Sequence, residues 1–161
     1  MKTRKFFASL CILIFLSTPV SAEESELTIY LEVLYFNASM TTVDCDRLLF
    51  IPAEKDLPDF RDMPCYLRDT RMTATLTGLS GSTITFFGMR TYAKEKGYLV
   101  IRKTDAQKVW VRDLIDFPDR KWVTVEADSS SGGYEAFYKA GPAFDSNVAS
   151  LKWGQWWSSL P

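Results

Sequence analysis

The segment MTATLTGLSGSTITFF, residues 72–87, decides the fold class. Threonine alternates with other residues over 72–77 and again over 83–85, and the two runs flank a turn bounded by Gly78 and Gly81. A two-residue period is that of a β-strand with one buried face. Glycine-rich punctuation between two such runs is a signal of a hairpin. The segment therefore predicts two strands that pair with each other as a β-hairpin.

Similar short runs, rich in β-branched and aromatic residues, lie on both sides of this segment. Turns separate them, and only 91–95 and 104–107 have room for a helical turn. Short strands at regular spacing predict an all-β fold, a β-sandwich of Greek-key type. The expected strands are 27–36, 97–102, 109–112, 121–127, 134–139 and 148–153.

The run KWVTVE, residues 121–126, indicates how one of these strands packs. Val123 and Val125 share one face, and Trp122 shares the other face with polar residues. We expect the two valines to face the core, and Trp122 to lie at a rim or on a second buried face.

The first 22 residues have the features of an export signal. Lys2, Arg4 and Lys5 precede an apolar run over 6–16, and the small-residue sequence Val-Ser-Ala ends at residue 22. The run is shorter than the about 20 apolar residues that span a bilayer. We therefore expect residues 1–22 to be a signal peptide, and residues 23–161 to form one periplasmic or secreted domain without stable membrane insertion.

Two cysteines remain in that domain, because Cys11 lies within the expected leader. Cys45 and Cys65 stand near the ends of an irregular stretch, 44–71, in which the apolar run 48–51 either pairs locally or fastens the loop to the core. In an oxidising compartment we expect the two thiols to form a disulfide that staples this long loop. A zinc site is the alternative, but two cysteines without histidine are an incomplete ligand set.

Charge balance and the absence of histidine restrict the function. The chain has 19 Lys and Arg, 20 Asp and Glu and no His, for a net charge of −1, and the leader holds three of the cations and none of the anions, so residues 23–161 carry −4. Nucleic acids and anionic membranes need a basic surface, so neither is an expected partner. Without histidine there is no Ser-His or Cys-His pair. We expect a protein with no catalytic activity and no cofactor.

Acidic residues of the 44–71 stretch leave one route to catalysis open. Two carboxylates act as general acid and base when their surroundings separate their pKa values. Lysines and arginines interleave with these acids, which is typical of a solvated loop, so a carboxylate-dependent hydrolase ranks last among the functions considered. The acids are Asp44, Asp46, Glu54, Asp56, Asp59, Asp62 and Asp69.

The C-terminal part resembles the closing half of a βγ-crystallin Greek-key motif. The sequence SSSGGYEAFYKAGPAFDSNVASLKW, residues 129–153, gives a glycine bend, an aromatic strand, a Gly-x-x-aromatic turn and a last strand. The family's calcium motif has two Asn or Asp, two spacers, Ser or Thr, and Ser. Asn147 and Ser150 match it, whereas Ser146 and Leu151 do not, and calcium takes six to eight oxygen ligands. The resemblance implies a Greek-key fold with a degenerate calcium motif and no metal. An unrelated β-sandwich with a similar last hairpin is the alternative.

The sequence Trp153-Gly-Gln-Trp156-Trp157 is the strongest candidate for a binding surface. Exposed aromatic rings suit contact with a protein or stacking on sugar rings, and Tyr134 and Tyr138 precede them on an expected strand. If strand geometry continues, Trp153 and Trp157 point to one side and Trp156 to the other. The alternative is that these tryptophans close the sandwich as part of its core.

These features together predict an exported binding module. A protein-binding inhibitor or immunity-type protein, which blocks an enzyme outside the cytoplasm, comes first, because such a role needs only a rigid complementary surface. The alternative is a carbohydrate-binding or cell-envelope-binding module that uses the C-terminal tryptophans. The expected partner is thus an extracytoplasmic protein or a glycan.

Overall fold

The computed structural model describes residues 26–33, 48–52, 55–62, 70–142, 144 and 148–158. The expected leader, Cys45, Cys65 and Asn147 lie outside these ranges. Within them the fold is all-β, as the sequence predicts, with two 3₁₀ turns at Phe60–Asp62 and Arg90–Tyr92. None of the described residues belongs to a helix long and apolar enough to cross a membrane. The strands are β1 Glu26–Val33, β2 Leu48–Pro52, β3 Thr70–Leu76, β4 Thr83–Phe87, β5 Tyr98–Lys103, β6 Val109–Val111, β7 Lys121–Val125, β8 Tyr134–Lys139 and β9 Ser150–Trp153.

The strands form two antiparallel sheets that face each other as a sandwich. The first sheet has the order β2-β1-β3-β6 and the second has the order β7-β8-β5-β4-β9. Alternate side chains of both sheets meet in one apolar core, as a two-residue period requires. This inner core includes Leu27, Ile51, Ala74, Leu76, Val109 and Val111 from the first sheet, and Ile84, Phe86, Leu99, Ile101, Ala136 and Leu151 from the second.

The prediction of a hairpin over residues 72–87 is wrong, although both predicted strands are present. β3 pairs with β1 and β6, whereas β4 pairs with β5 and β9. The chain crosses from one sheet to the other between them, with Gly78 and Gly81 at φ of 104° and 86°. The buried ammonium of Lys103, 1% exposed, reinforces this crossing, because its Nζ donates to the carbonyl oxygen of Leu76 at 3.2 Å.

The stretch 44–71 is not one continuous loop. The apolar run 48–51 lies in β2, which pairs with β1 in the register Ile51 to Leu27. This pairing is not local, and it places Ile51 in the inner core. Of the two alternatives expected for the run 48–51, the structure therefore shows the second, in which the run fastens this stretch to the core.

Residues 55–62 cover one edge of the second sheet. The N–H of Leu57 donates to the carbonyl oxygen of Leu151 at 3.0 Å, the reverse bond measures 2.9 Å, and the N–H of Phe60 donates to the carbonyl oxygen of Ala149 at 2.9 Å. Leu57 and Phe60 also enter the inner core. Since unpaired strand edges invite association, this segment protects the β9 edge. At the edge of the first sheet, the loop 128–133 bonds to β6, because Ser131 Oγ accepts the N–H of Trp110 at 2.9 Å and the N–H of Gly132 donates to the carbonyl oxygen of Lys108 at 2.8 Å.

The second sheet buries apolar side chains on both faces. Phe87, Tyr98, Val100 and Phe137 point away from the inner core and form a second cluster, which we call the outer aromatic cluster. Its half-buried members are Tyr92, Trp122, Trp156 and Trp157. Trp122 therefore lies on a second buried face, one of the two positions expected for it, while Val125 packs against the inner core.

Candidate binding cleft

The aromatic residues singled out in the sequence do not share one surface. Tyr134 and Tyr138 are 7% and 5% exposed and belong to the inner core, and Trp153 packs against that core. Trp156 and Trp157 lie on the other face of the second sheet, in the outer aromatic cluster. The structure therefore divides the five candidates between two apolar clusters.

The segment after β9 bends so that Trp156 lies on the outer face. Gly154 has a φ of 74°, a left-handed conformation that glycine adopts readily. The indole Nε1–H of Trp156 then donates to Oγ1 of Thr85 at 2.7 Å, and its ring lies 5.6 Å from Phe87 and 5.7 Å from Tyr98. Lys94 covers the same ring, with its Nζ 4.0 Å from the ring centroid. Trp156 is thus held between the sheet and a cation.

The described carboxylates of the 44–71 stretch are engaged in ion pairs or lie exposed. Asp56 accepts hydrogen bonds from Lys152 Nζ at 3.1 Å and from the N–H of Trp153 at 2.8 Å. Hydrogen bonds from Arg61 to Asp59 lower the pKa of that carboxyl from 3.8 to about 2, although partial desolvation opposes the shift. Asp62 lies on the exposed 3₁₀ turn. Asp44, Asp46, Glu54 and Asp69 lie outside the described residues.

The side chain of Ser150, the described member of the calcium-like motif, forms hydrogen bonds with the backbone. Its Oγ donates to the carbonyl oxygen of Met89 at 2.6 Å and accepts from the N–H of Tyr92 at 3.1 Å. In the part of the chain that the structure describes, no group of three His, Cys, Asp or Glu side chains could hold a metal ion.

A cleft of about 370 Å³ opens where the two sheets end side by side. β6 is the last strand of the first sheet, β7 is the last strand of the second, and the loop 112–120 joins them. The walls are apolar and aromatic, and the rim is charged. The cleft is lined by Trp110, Arg112, Asp113, Asp116, Phe117, Pro118, Val123, Val125, Glu126, Asp128, Ser130, Ser131 and Tyr134.

Trp110 stands at the mouth of this cleft because of strand alternation. Its neighbours Val109 and Val111 are buried, so the indole points outward and is 45% exposed. Trp110 also lines a second, smaller cavity of about 290 Å³ with Thr75, Lys108 and Ser130. The guanidinium of Arg112 lies 5.9 Å from the ring centroid. An exposed indole that lines two cavities is well placed to contact a ligand.

The loop 128–133 fixes the cleft wall beside Trp110. Oδ1 of Asp128 accepts hydrogen bonds from the N–H groups of Ser130 and Ser131 at 2.6 and 2.9 Å. Hydrogen bonds from Ser130, side chain first and then backbone, lower the pKa of Asp128. Ser131 Oγ accepts the N–H of Trp110 at 2.9 Å. The loop is therefore tied to β6, and Asp128 stays ionised at neutral pH.

The acidic residues of the rim differ in their hydrogen bonds and ion pairs. Asp113 accepts the N–H of Ile115 at 3.1 Å, a local hydrogen bond that is typical of an aspartate in a turn. Asp116 and Glu126 line the cleft without a hydrogen bond or an ion pair to any described residue. At the base of the cleft, burial raises the pKa of Tyr134, and the charge of Arg112 partly opposes this. The cleft thus combines an aromatic wall with free negative charge.

Sequence reasoning missed Trp110. The signal was the run KVWVR, residues 108–112, in which two valines flank a tryptophan. If the valines face the core of a strand, the tryptophan between them must face away from it. The three tryptophans at 153–157 form the more conspicuous pattern in the sequence, whereas Trp110 stands alone.

Comparison with known protein families, with curated proteins and with solved structures finds no match to this chain.

Proposed function

We propose that the protein is an exported, non-catalytic binding module that docks another extracytoplasmic protein at the cleft between β6 and β7. Such a partner is an enzyme that the module inhibits or neutralises. The exposed indole of Trp110 at the cleft mouth is the observation that carries this proposal. Tryptophan is enriched among the residues that dominate binding energies, which sit beside pockets that exclude water.

The edge of β7 favours a protein partner. β7 ends the second sheet, so alternate backbone N–H and C=O groups of this strand point away from its neighbour β8. An extended segment of a partner can add hydrogen bonds to such an edge while its side chains enter the adjoining cleft. A glycan does not use this backbone edge in the same way, and Trp156 and Trp157 are half-buried in the outer aromatic cluster.

We expect Trp110→Ala to weaken partner binding at least about 30-fold, the ratio that corresponds to a loss of about 2 kcal/mol at a binding hot spot. The unfolding midpoint should hardly change, because an exposed substitution alters stability by about 0.5 kcal/mol or less. The partner is isolated from envelope extract by a photo-crosslinking residue at Ser130, and its affinity is measured for both proteins.

Leu79 provides the matched control, since it is 57% exposed and does not line the cleft. A crosslinker at position 79 should capture no partner, and Leu79→Ala should bind the partner normally. Equal capture from both positions, or unchanged affinity in Trp110→Ala, contradicts the proposal. A crosslinked product made of sugar identifies the carbohydrate-binding alternative instead.

We also propose that residues 1–22 are removed and that Cys45 and Cys65 form a disulfide. β2 and β3 both pair antiparallel with β1, so they run in the same direction on its two sides. Leu48 and Thr70, the first residues of these strands, therefore lie at the same end of the first sheet. In the sequence, Cys45 comes shortly before Leu48 and Cys65 shortly before Thr70. Strands on either side of a common neighbour are about 10 Å apart, a gap that short connections can close.

The mass of the protein recovered from outside the cytoplasm tests both statements. We expect a polypeptide that begins at Glu23 and has a mass about 2 Da below that of its reduced form. Thiol titration under denaturing conditions without reductant should detect no free cysteine. A retained Met1, or two titratable thiols, contradicts export with disulfide formation.

The Greek-key arrangement is proposed on the strand order of the second sheet. In β9-β4-β5-β8, the last strand returns beside the first of three neighbouring strands. This is the spatial order of a Greek key, with β6 and β7 inserted between β5 and β8.

A further inference from the structure

We propose that the cleft receives one lysine or arginine side chain of the partner, with its charged group over Trp110 and between Asp116 and Glu126. This inference rests on the proposed function and specifies the partner's chemistry. It predicts a partner with a basic side chain exposed on the surface that docks.

The shape and lining of the cleft suit a long cationic side chain. A volume of about 370 Å³ is at the small end of the range for ligand pockets. Phe117, Val123 and Val125 supply apolar wall along which the methylene stem of a lysine or arginine can lie. Such side chains bury their stems and keep the charged end at a polar rim.

The charge of the rim selects a cation. Four carboxylates line the cleft, Asp113, Asp116, Glu126 and Asp128, and Arg112 is the one cation among its lining residues. Two of these acids, Asp116 and Glu126, have no partner among the described residues. The excess negative charge attracts a basic group over a distance of about 8 Å in physiological salt.

The aromatic wall adds a second attraction for the same group. A cation over the face of an indole is favoured by the ring's negative face, most strongly for tryptophan. This chain already makes such contacts, since Arg112 lies 5.9 Å from the Trp110 ring centroid and Lys94 lies 4.0 Å from that of Trp156. Because Arg112 leaves most of the rim charge uncompensated, a second cation can join it at Trp110.

The probe is the peptide acetyl-Gly-Arg-Gly-amide, compared with the peptide in which neutral citrulline replaces arginine. Binding to the oxidised full-length mature protein is followed through the indole N–H signals of its five tryptophans in NMR spectra. We expect the arginine peptide to move the Trp110 signal, and to bind at least 10-fold more tightly than the citrulline peptide at low salt. Addition of salt should weaken binding of the arginine peptide.

The double variant Asp116→Asn, Glu126→Gln should reduce arginine-peptide binding at least 10-fold. Asp62→Asn, Glu95→Gln is the matched control, because it removes the same charge from two exposed residues that do not line the cleft. Unfolding midpoints of both variants are compared with that of the wild type, and the single variant Asp116→Asn serves if the double variant is unstable. Equal binding of the two peptides, or equal loss in both double variants, overturns the inference.

The outcomes separate this inference from the proposed function. Suppose that Trp110→Ala abolishes binding of the protein partner but the double variant Asp116→Asn, Glu126→Gln binds it normally. The inference of a cationic side chain is then wrong, whereas the proposed docking site is retained. If the arginine peptide binds as expected but no protein partner depends on Trp110, the cation site stands and the proposed function falls. A neutral oligosaccharide that binds the cleft independently of the two carboxylates overturns the inference.

Discussion

Gly141→Ala should destabilise the protein by at least about 3 kcal/mol, at the upper end of the cost of overpacking. A Cβ at this position would lie 2.2 Å from the carbonyl carbon of Lys96 and 2.3 Å from the nitrogen of Gly97. These are backbone atoms of the turn that precedes β5, so no side chain can rotate away. The two chain segments must separate to admit a methyl group.

The same contact explains why glycines meet at this point. Gly97 approaches Gly141 from the other side, where an added Cβ would lie 2.8 Å from the nitrogen of Gly141. Gly88 also contacts this turn, because its N–H donates to the carbonyl oxygen of Gly97 at 3.0 Å. The connections between β4 and β5 and after β8 therefore pack backbone against backbone. Separating them would disturb the pairing of β5 with both neighbours.

The variant Gly154→Ala is a control that separates the cost of a left-handed backbone conformation from the cost of a close backbone contact. Gly154 has a φ of 74°, yet an added Cβ there would meet nothing within 4 Å. Gly154→Ala should therefore cost about 1–2 kcal/mol, the cost of a left-handed conformation for an L-residue. Free energies of unfolding from urea titrations compare the two variants with the wild type. A Gly141→Ala protein as stable as Gly154→Ala would contradict the close packing.

The strands could be predicted from the sequence, but their partners could not. The expected strand 134–139 agrees with β8, and the run 121–127 contains β7. Alternation records which residues share a face, and it does so within a few residues of chain. It does not record which strand lies alongside. β3 and β4 both direct their even-numbered residues into the core, Leu76 and Ile84 among them, and this pattern is the same for hairpin neighbours and for strands in opposing sheets.

The candidate site was harder to predict, because it is made by the edges of two strands that belong to different sheets. Trp110 and Val125 line the same cleft only because β6 and β7 end their sheets on the same side. The expectation that Trp157 points to the same side as Trp153 is wrong, since Trp157 lies with Trp156 in the outer aromatic cluster. Trp153 continues the alternation of β9, but Gly154 turns the chain before Trp156. Strand geometry does not continue past that residue, so the extrapolated directions do not apply.

The outer aromatic cluster is a second site of stabilisation that sequence patterns indicate only faintly. The sequence predicts a rim or a second buried face for Trp122, and in the structure Trp122 lies on the second buried face. The remaining members come from separate strands and from the segment after β9. The T-shaped and tilted ring pairs around Trp156 include Phe87, Tyr98 and Trp157, with centroid distances of 5.6, 5.7 and 5.3 Å. Such pairs add about 0.5–1.5 kcal/mol each beyond the area they bury.

Trp156→Ala should therefore destabilise the protein by about 3 kcal/mol, the lower end of the range for a large aromatic residue. Trp156→Phe should cost only about 1 kcal/mol, since it keeps ring contact and loses the hydrogen bond to Thr85. Urea unfolding of the two variants and of Trp110→Ala measures these values. If Trp156 were instead the anchor for a partner, its replacement would leave stability unchanged and abolish binding. The opposite pattern, lost stability at Trp156 and lost binding at Trp110, is expected because one indole is packed against the sheet and the other is exposed at the cleft.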